Sequence, residues 1–126
     1  MKFQPDRSHA LTISGYGPGW ISIEADKITS SLIISSSGLR QEWNCARFED
    51  LSAEHFAPLA LLDAELIIFG SGQRNRFPPA AWLQPLMAKR IGLESMDTQA
   101  ACRTYNILAG EGRRVVAALL LEIPAT

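Results

Sequence analysis

The sequence has few of the residues that form covalent cross-links or bind metal ions. It contains two cysteines, Cys45 and Cys102, and two histidines, His9 and His55, and these residues follow no metal-ligand spacing. A chain of 126 residues buries enough apolar surface to fold without a disulfide or a metal. We therefore expect two free thiols in a reducing, cytoplasmic compartment, with no metal and no other cofactor.

Excess charge and long apolar runs are missing as well. The formal net charge is −1, so no overall field attracts nucleic acid or an anionic membrane surface. The longest apolar run, Val115–Leu121, is too short to cross a bilayer, and residues 1–9 lack the apolar centre of a signal peptide. The sequence thus predicts a cytoplasmic protein without a nucleic-acid partner and without membrane insertion.

The composition is that of a globular domain. Hydrophobic residues make up 47% of the chain and charged residues 20%, which is typical of a folded protein rather than a disordered one. No linker, repeat or low-complexity tract divides the sequence. We expect a single domain over residues 1–126.

The first half of the chain is predicted to be mostly β-structure. Leu11 and Ile13 alternate with polar residues and predict a strand, and the segment Gly15–Gly19 predicts a tight turn. Alternation over residues 20–34 then predicts a β-hairpin. Residues 39–43 continue the alternation and predict a further strand.

The second half alternates between predicted helices and strands. Val115–Leu121 is apolar throughout, which is typical of a central strand covered on both faces. Asp97 predicts the N-cap of a helix that Gly110 ends. The predicted strands are 65–69, 92–96 and 114–122, and the predicted helices are a short one capped by Ser52 and ended by Pro58, one over 79–90 kinked by Pro85, and one over 97–109. The predicted fold class is α/β, with a central mixed β-sheet flanked by helices in three layers and an N-terminal β-hairpin region.

The βαβ unit predicted over residues 65–96 indicates where a site would lie. Ligands of parallel sheets bind beyond the carboxyl ends of the strands, which here lead into Gly70–Gly72 and Asp97–Thr98. The candidate binding edge therefore comprises Gly70, Ser71, Gly72, Arg74, Arg76, Asp97, Thr98, Arg103 and Asn106.

No catalytic residues are predicted at this edge. The Gly70–Gly72 turn lacks the third glycine of a dinucleotide-binding loop, and Pro78 and Pro79 have no N–H to offer a phosphate. Asp97 fills the helix N-terminus with its own charge. Cys102 has no histidine near it in the chain and is interpreted as a small packed residue rather than a nucleophile.

Three arginines of the edge leave two interpretations open. Arg74 and Arg76 lie in the loop after Gly72, and Arg103 lies on the polar face of the following helix. Together they would form a positive patch for an acidic partner or a carboxylate ligand. Alternatively, each is solvated or paired with a nearby acid.

Several of these segments resemble the Mth-type domain family. The resemblance is carried by Gly70–Gly72, Phe77-Pro78, Met96–Leu108 and Glu111–Val115, and it extends over residues 8–123. Many relatives have threonine where Ser71 stands. The family includes small bacterial and archaeal proteins of unknown function, the adipogenesis-associated Mth-domain protein and a mitochondrial assembly factor for respiratory complex I. It implies a three-layer fold around a mixed sheet, and it implies no catalytic residues.

These observations predict a non-catalytic protein that binds an unidentified protein partner or acts as an assembly factor, as a monomer or a weak homodimer. The alternative is a small-molecule or anion-binding protein, or an unrecognised enzyme, with its site at the edge formed by Gly70–Phe77, Asp97-Thr98 and Arg103. A deep pocket at which Asp97, Arg103 and Asn106 converge would favour the alternative. A flat or apolar exposed patch would favour protein binding.

Overall fold

The computed structural model describes residues 10–122, which form two β-sheets and three α-helices. The strands are β1 (Gly15–Gly17), β2 (Trp20–Ile23), β3 (Asp26–Ile28), β4 (Leu32–Ser35), β5 (Arg40–Glu42), β6 (Leu66–Gly70), β7 (Gly92–Met96) and β8 (Val115–Leu119). The helices are α1 (Ala53–Phe56), α2 (Gln84–Ala88) and α3 (Thr98–Gly110).

The larger sheet is mixed, which confirms the predicted α/β fold. Its strand order is β5-β4-β8-β6-β7. Strands β5, β4 and β8 pair antiparallel, whereas β8, β6 and β7 run parallel to one another. Strands β1, β2 and β3 form a separate antiparallel sheet.

Strand β8 is the central strand that the apolar run predicts, because both of its faces are covered. All five of its residues are buried. Val115, Ala117 and Leu119 pack on the side of α3 and the small sheet, and Val116 and Ala118 pack on the side of α1 and α2.

Two hydrophobic cores therefore lie on opposite faces of the large sheet. In the first, Tyr105 of α3 is fully buried among aliphatic residues of β2, β4 and β8. The second is aromatic, and Trp43, Phe56 and Phe69 meet there edge to face with ring centroids 5.3–5.9 Å apart. The result is a three-layer domain in which helices cover both faces of the large sheet.

The structure corrects the predicted N-terminal strands. Leu11 and Ile13 lie outside any strand, because the Asn106 side chain bonds the N–H and C=O of Ile13 in place of a neighbouring strand. Strand β1 instead occupies Gly15–Gly17, within the predicted turn. A Cβ on Gly17 would lie 2.4 Å from the Trp20 ring nitrogen, so glycine lets β1 run against this indole.

The predicted hairpin over residues 20–34 is also partly wrong. Only β2 and β3 form the hairpin, and β4 crosses into the large sheet, where it pairs with β5 and β8. All four residues of β4 are buried, as expected for a strand covered on both faces. A hairpin strand with one solvated face would instead alternate between buried and exposed residues.

Prolines and glycines shift the predicted helix bounds. The predicted helix over 79–90 is divided into a 3₁₀ turn, Ala80–Leu83, and α2, because Pro85 has no N–H to continue a single helix. Pro79 precedes that turn as its N-cap instead of opening the helix. Gly110 is the last residue of α3, and the left-handed glycine after it is Gly112, at φ 82°.

Candidate functional site

The candidate edge begins where β6 and β7 end side by side. Gly70 pairs with Met96 in the parallel register, so the two strand ends bring the segments after them together as predicted. A Cβ on Gly70 would lie 3.1 Å from the Cα of Thr98. Glycine at this position therefore lets β6 approach the first turn of α3 closely.

Ser71 closes the loop that follows β6. Its buried hydroxyl donates to the Arg74 carbonyl oxygen at 2.8 Å and accepts from the Arg76 backbone N–H at 2.8 Å. Both bonds lie within the loop, and both are roles that a threonine hydroxyl fills equally well. The Ser71 hydroxyl thus stabilises the turn.

Thr98 fastens three segments of the chain at one point. Its buried hydroxyl donates to the Leu120 carbonyl oxygen at 2.7 Å and accepts from the Gly72 N–H at 2.9 Å. The Thr98 N–H also donates to the Gly72 carbonyl oxygen at 2.9 Å. The start of α3 is thereby bound to the ends of both β6 and β8.

Asp97 caps α3, as its position in the sequence predicts. Its carboxylate accepts from the Ala100 N–H at 3.1 Å while its own backbone stays extended. An acid in this place satisfies one of the free helical N–H groups and opposes binding of another anion.

Arg76 and Glu122 form a largely buried ion pair beneath the loop. Their closest N–O distance is 2.6 Å, and their side chains are only 17% and 14% exposed. Arg76 also donates to the Ser71 carbonyl oxygen at 2.7 Å, and its guanidinium lies 4.5 Å from the centre of the Phe48 ring. We call Ser71, Arg76, Thr98 and Glu122 the strand-end network.

The Glu122 carboxylate is held charged by its partners. Burial raises its pKa, but hydrogen bonds from Arg76 and from the backbone N–H groups of Phe48 and Gln73 lower the pKa more, so the net change is downward. Sequence reasoning missed Glu122, which was interpreted only as the end of the last strand. The available signal was an acid directly after an uninterrupted apolar run.

The remaining predicted residues do not join this network through their side chains. Arg74 is exposed, and Arg103 is exposed with a weak bond, 3.4 Å long, to the Tyr16 hydroxyl. Asn106 is occupied by both polar backbone groups of Ile13, at 2.8 Å each. Arg103 and Asn106 lie about 9 Å and 13 Å further along the axis of α3 than Asp97, and their hydrogen bonds go to Tyr16 and Ile13 rather than to the Asp97 carboxylate.

The contact between the Ser52 hydroxyl and Nδ1 of His55, 3.2 Å long, belongs to the capping box of α1 and lies outside the candidate edge. Cys102 is fully buried, and burial raises the pKa of its thiol to about 12. Cys45 packs on the opposite face of the large sheet. His55 bonds the Ser52 N–H and the Asn44 carbonyl oxygen, which ties α1 to the β5 side, and His9 lies outside the described residues.

Two further observations bound what residues 10–122 can do. They contain no group of three or more side chains placed to hold a metal ion. No helix in the same range is both long and apolar enough to cross a membrane.

An open cleft of about 360 Å³ lies beside the network, lined by Gly17–Gly19, Gly72–Gln73, Thr98–Gln99 and Leu120–Glu122.

Some of the known sequences that are similar to this chain are described as having unknown function. The family model described as "Protein of unknown function (DUF498/DUF598)" matches residues 13–120. An uncharacterized protein of Rhodobacter capsulatus is 36% identical over 117 residues, which cover 93% of this chain and 90% of that protein.

Other relatives carry a functional name. NADH dehydrogenase (ubiquinone) 1 alpha subcomplex assembly factor 3 of Danio rerio is 30% identical over 97% of this chain and 70% of its own length. The Homo sapiens protein of the same name is 28% identical over 93% of this chain, which spans 64% of that protein.

Solved structures agree with the sequence comparison. The crystal structure of a Bordetella parapertussis protein superposes with a TM-score of 0.83 at 37% identity and covers 90% of this chain and 97% of that one. The solution structure of a Bordetella pertussis protein, described as a Mth938-like domain, has a TM-score of 0.76 at 32% identity and covers 97% of this chain and 90% of that one. The chain therefore belongs to the DUF498/DUF598 family, the Mth-type domain family that its sequence resembles.

Proposed function

We propose that this protein is a non-catalytic, cytoplasmic protein-binding or assembly factor. The observation that carries the proposal is the 30% identity, over 97% of this chain, to a protein named as an assembly factor for NADH dehydrogenase. The aligned region takes in nearly the whole chain.

The state of the polar groups supports the same proposal. The Ser71 and Thr98 hydroxyls and the Arg76–Glu122 pair are already bonded to one another or to backbone groups. A catalytic group needs a free lone pair or an exchangeable proton directed at substrate. The polar side chains of the strand-end network serve the fold instead.

Exposed apolar side chains offer material for protein contacts. Within residues 10–122, four large hydrophobic residues are 61–74% exposed: Leu61, Phe77, Met87 and Ile107. Contact with a partner removes their apolar surface from water, which favours binding.

Affinity capture from the native host, followed by mass spectrometry of proteins and metabolites, tests the proposal. We expect a protein to be retained in a stoichiometric ratio and no metabolite to be retained. Charge reversal of the exposed Arg74 and Arg103 tests whether the candidate edge carries the contact. Charge reversal of Arg113 and Arg114, which pair with Glu65 and Asp63 on the surface, is the matched control.

The open cleft beside Gly72 and Thr98 favours a second candidate function. In this second candidate, the edge binds a small molecule or an anion, or it is the site of an unrecognised enzyme. Retention of one metabolite without any protein would support this candidate and contradict protein binding. Loss of that metabolite on reversal of Arg74 and Arg103, with the Arg113 and Arg114 control unchanged, would place it at the candidate edge.

A further inference from the structure

Strand β7 is an edge of the large sheet, and one side of its backbone is free among the described residues. The Gly92 N–H donates to the Glu65 carbonyl oxygen, and the Met96 carbonyl oxygen accepts from Ser71. Because backbone direction alternates along a parallel strand, Gly92, Glu94 and Met96 face β6. The N–H and C=O groups of Leu93 and Ser95 therefore point away from the sheet.

A shallow apolar cleft accompanies this free side. It has a volume of about 380 Å³ and is lined by Phe77, Pro78, Leu83, Leu93, Glu94 and Ser95. Phe77 is 70% exposed at its rim. The Ser95 hydroxyl is buried and has no hydrogen-bond partner within residues 10–122. We call the residues Leu93–Ser95 the β7 edge.

The opposite edge of the same sheet looks different. All three residues of β5, Arg40, Gln41 and Glu42, are exposed and polar, and Arg40 pairs with Asp26 at 2.9 Å. Charged side chains on an edge strand discourage added strands. The sheet is thus protected at β5, whereas β7 has one charge, Glu94, beside an apolar cleft.

We infer that the β7 edge binds an extended segment of a partner protein as an added strand, with a basic residue of that segment opposite Glu94 and apolar residues on either side of it. The inference rests on the proposed protein-binding function and names its surface. Leu93 and Ser95 supply two donors and two acceptors in ladder register, a set that an extended backbone matches.

The register fixes the side chains of the added strand. A residue opposite Glu94 projects to the same face as that carboxylate, where a lysine or arginine is favourable. Its two neighbours project to the other face, into the cleft beside Phe77 and Leu83. The segment is therefore apolar, basic, apolar in order.

Charge argues against a second copy of this chain as the occupant. The antiparallel self-pairing that uses all four free groups places Leu93 opposite Ser95 of the second copy. Glu94 then lies opposite Glu94 of that copy, and like charges directly opposite each other are unfavourable. A partner with a basic residue at this position meets the opposite sign.

A synthetic peptide with the order threonine, valine, lysine, valine, threonine, acetylated and amidated, tests the inference on the intact chain. The peptide reads the same in both directions, so it suits either strand orientation. The readout is the amide resonances of the ¹⁵N-labelled protein at millimolar peptide. We expect the Leu93 and Ser95 amides to shift, and a peptide with glutamate in place of lysine to bind about two- to tenfold more weakly.

Two variants and a control variant sharpen the test. Glu94→Lys should reverse the preference between the two peptides. Ser95→Pro should abolish binding of both, because it removes an outward N–H that β6 does not use, and the fold should persist. Glu94→Pro removes an N–H that faces β6, and it is the control for loss of strand pairing.

Several results would overturn the inference. These are an unchanged preference in Glu94→Lys, shifts confined to other residues, or no shift at millimolar peptide. Protection of the Leu93 and Ser95 amides in the free protein would mean that a second copy or the chain's own terminal residues already occupy the edge. If a native partner is captured and still binds both Ser95→Pro and Glu94→Lys, the edge is wrong and the proposed function stands. If wild-type protein captures no partner, the proposed function itself fails.

Discussion

The strand-end network and the β7 edge differ in how many of their polar groups face outward without a partner. The network has more polar side chains, yet its hydroxyls and its ion pair are bonded within the domain, and Nε of Arg76, which has no partner in residues 10–122, is buried. The β7 edge has only Glu94 and Ser95 as polar side chains, but four backbone groups face outward and the Ser95 hydroxyl has no partner in residues 10–122. Capacity to bind follows the outward-facing unpaired groups, not the number of polar residues.

Replacement of Arg76 is expected to have the largest effect on stability and tests whether the strand-end network is structural. Arg76→Leu leaves the Glu122 carboxylate largely buried without its cation, and we expect the free energy of unfolding to fall by about 3 kcal/mol. Arg114→Leu removes a partner of the exposed Asp63 and should cost under about 1 kcal/mol. Urea denaturation measures both, and equal losses would show that the Arg76 pair is not a structural part of the domain.

Thr98→Val is the next largest change, because it keeps the volume and removes only the hydroxyl. The Gly72 N–H and the Leu120 carbonyl oxygen would then lose their buried partner, at a cost of about 2 kcal/mol. Thr104→Val in the same helix, outside the network, is the matched control. A loss no larger than that of the control would contradict the role given to Thr98.

Asp97 tests the helix cap within the same edge. Asp97→Ala should lower stability by about 1 kcal/mol and Asp97→Asn by less, because asparagine also accepts from the Ala100 N–H. Chemical denaturation of both variants checks this expectation. Negligible effects of both would mean that Asp97 does not act as the cap, and its presence would then need a functional explanation.

Acid should weaken the strand-end network. Since the folded pKa of Glu122 is lowered, its contribution is fully present above the unfolded pKa and is lost as the pH falls through the folded value. We expect wild-type stability to fall below about pH 4.3, the ordinary glutamate range. The pKa of Glu65 is lowered too, by the Arg114 N–H and by Arg113, so Glu65 also contributes to the acid dependence of wild-type stability. We therefore compare the wild-type pH profile with that of Glu122→Gln, which removes the contribution of Glu122 alone. An identical pH profile in Glu122→Gln would contradict this assignment.

The elements that sequence reasoning placed correctly are those specified by local pattern. The apolar run at β8 and the cap at Asp97 each need only neighbouring residues. The Arg76–Glu122 pair joins residues 46 apart, and no local pattern specifies such a pair. The move of β4 into the large sheet likewise depends on pairing with β8, far along the chain.

The position of β7 at the edge of the sheet could not be predicted from local sequence pattern either. The sequence correctly predicts a strand at 92–96, but whether that strand is central or at the edge follows from the strand order alone. Exposure of Phe77 is equally hidden in the sequence, because an aromatic residue before two prolines is as compatible with a core as with a surface.

Phe77 gives the smallest expected effect on stability and the clearest separation of the two regions. Its side chain is 70% exposed, so Phe77→Ser should change the free energy of unfolding by no more than about 0.5 kcal/mol. The same change removes the aromatic rim of the β7 cleft and should weaken the lysine peptide measurably. Ile107→Ser, at 61% exposure on α3, is the control and should change neither stability nor binding. Equal binding by wild type and Phe77→Ser would mean that the aromatic ring contributes nothing to the edge. A large loss of stability would instead show that Phe77 packs as part of the fold. Phe77 would then be a structural residue, like those of the strand-end network, and not part of a free binding surface at the β7 edge.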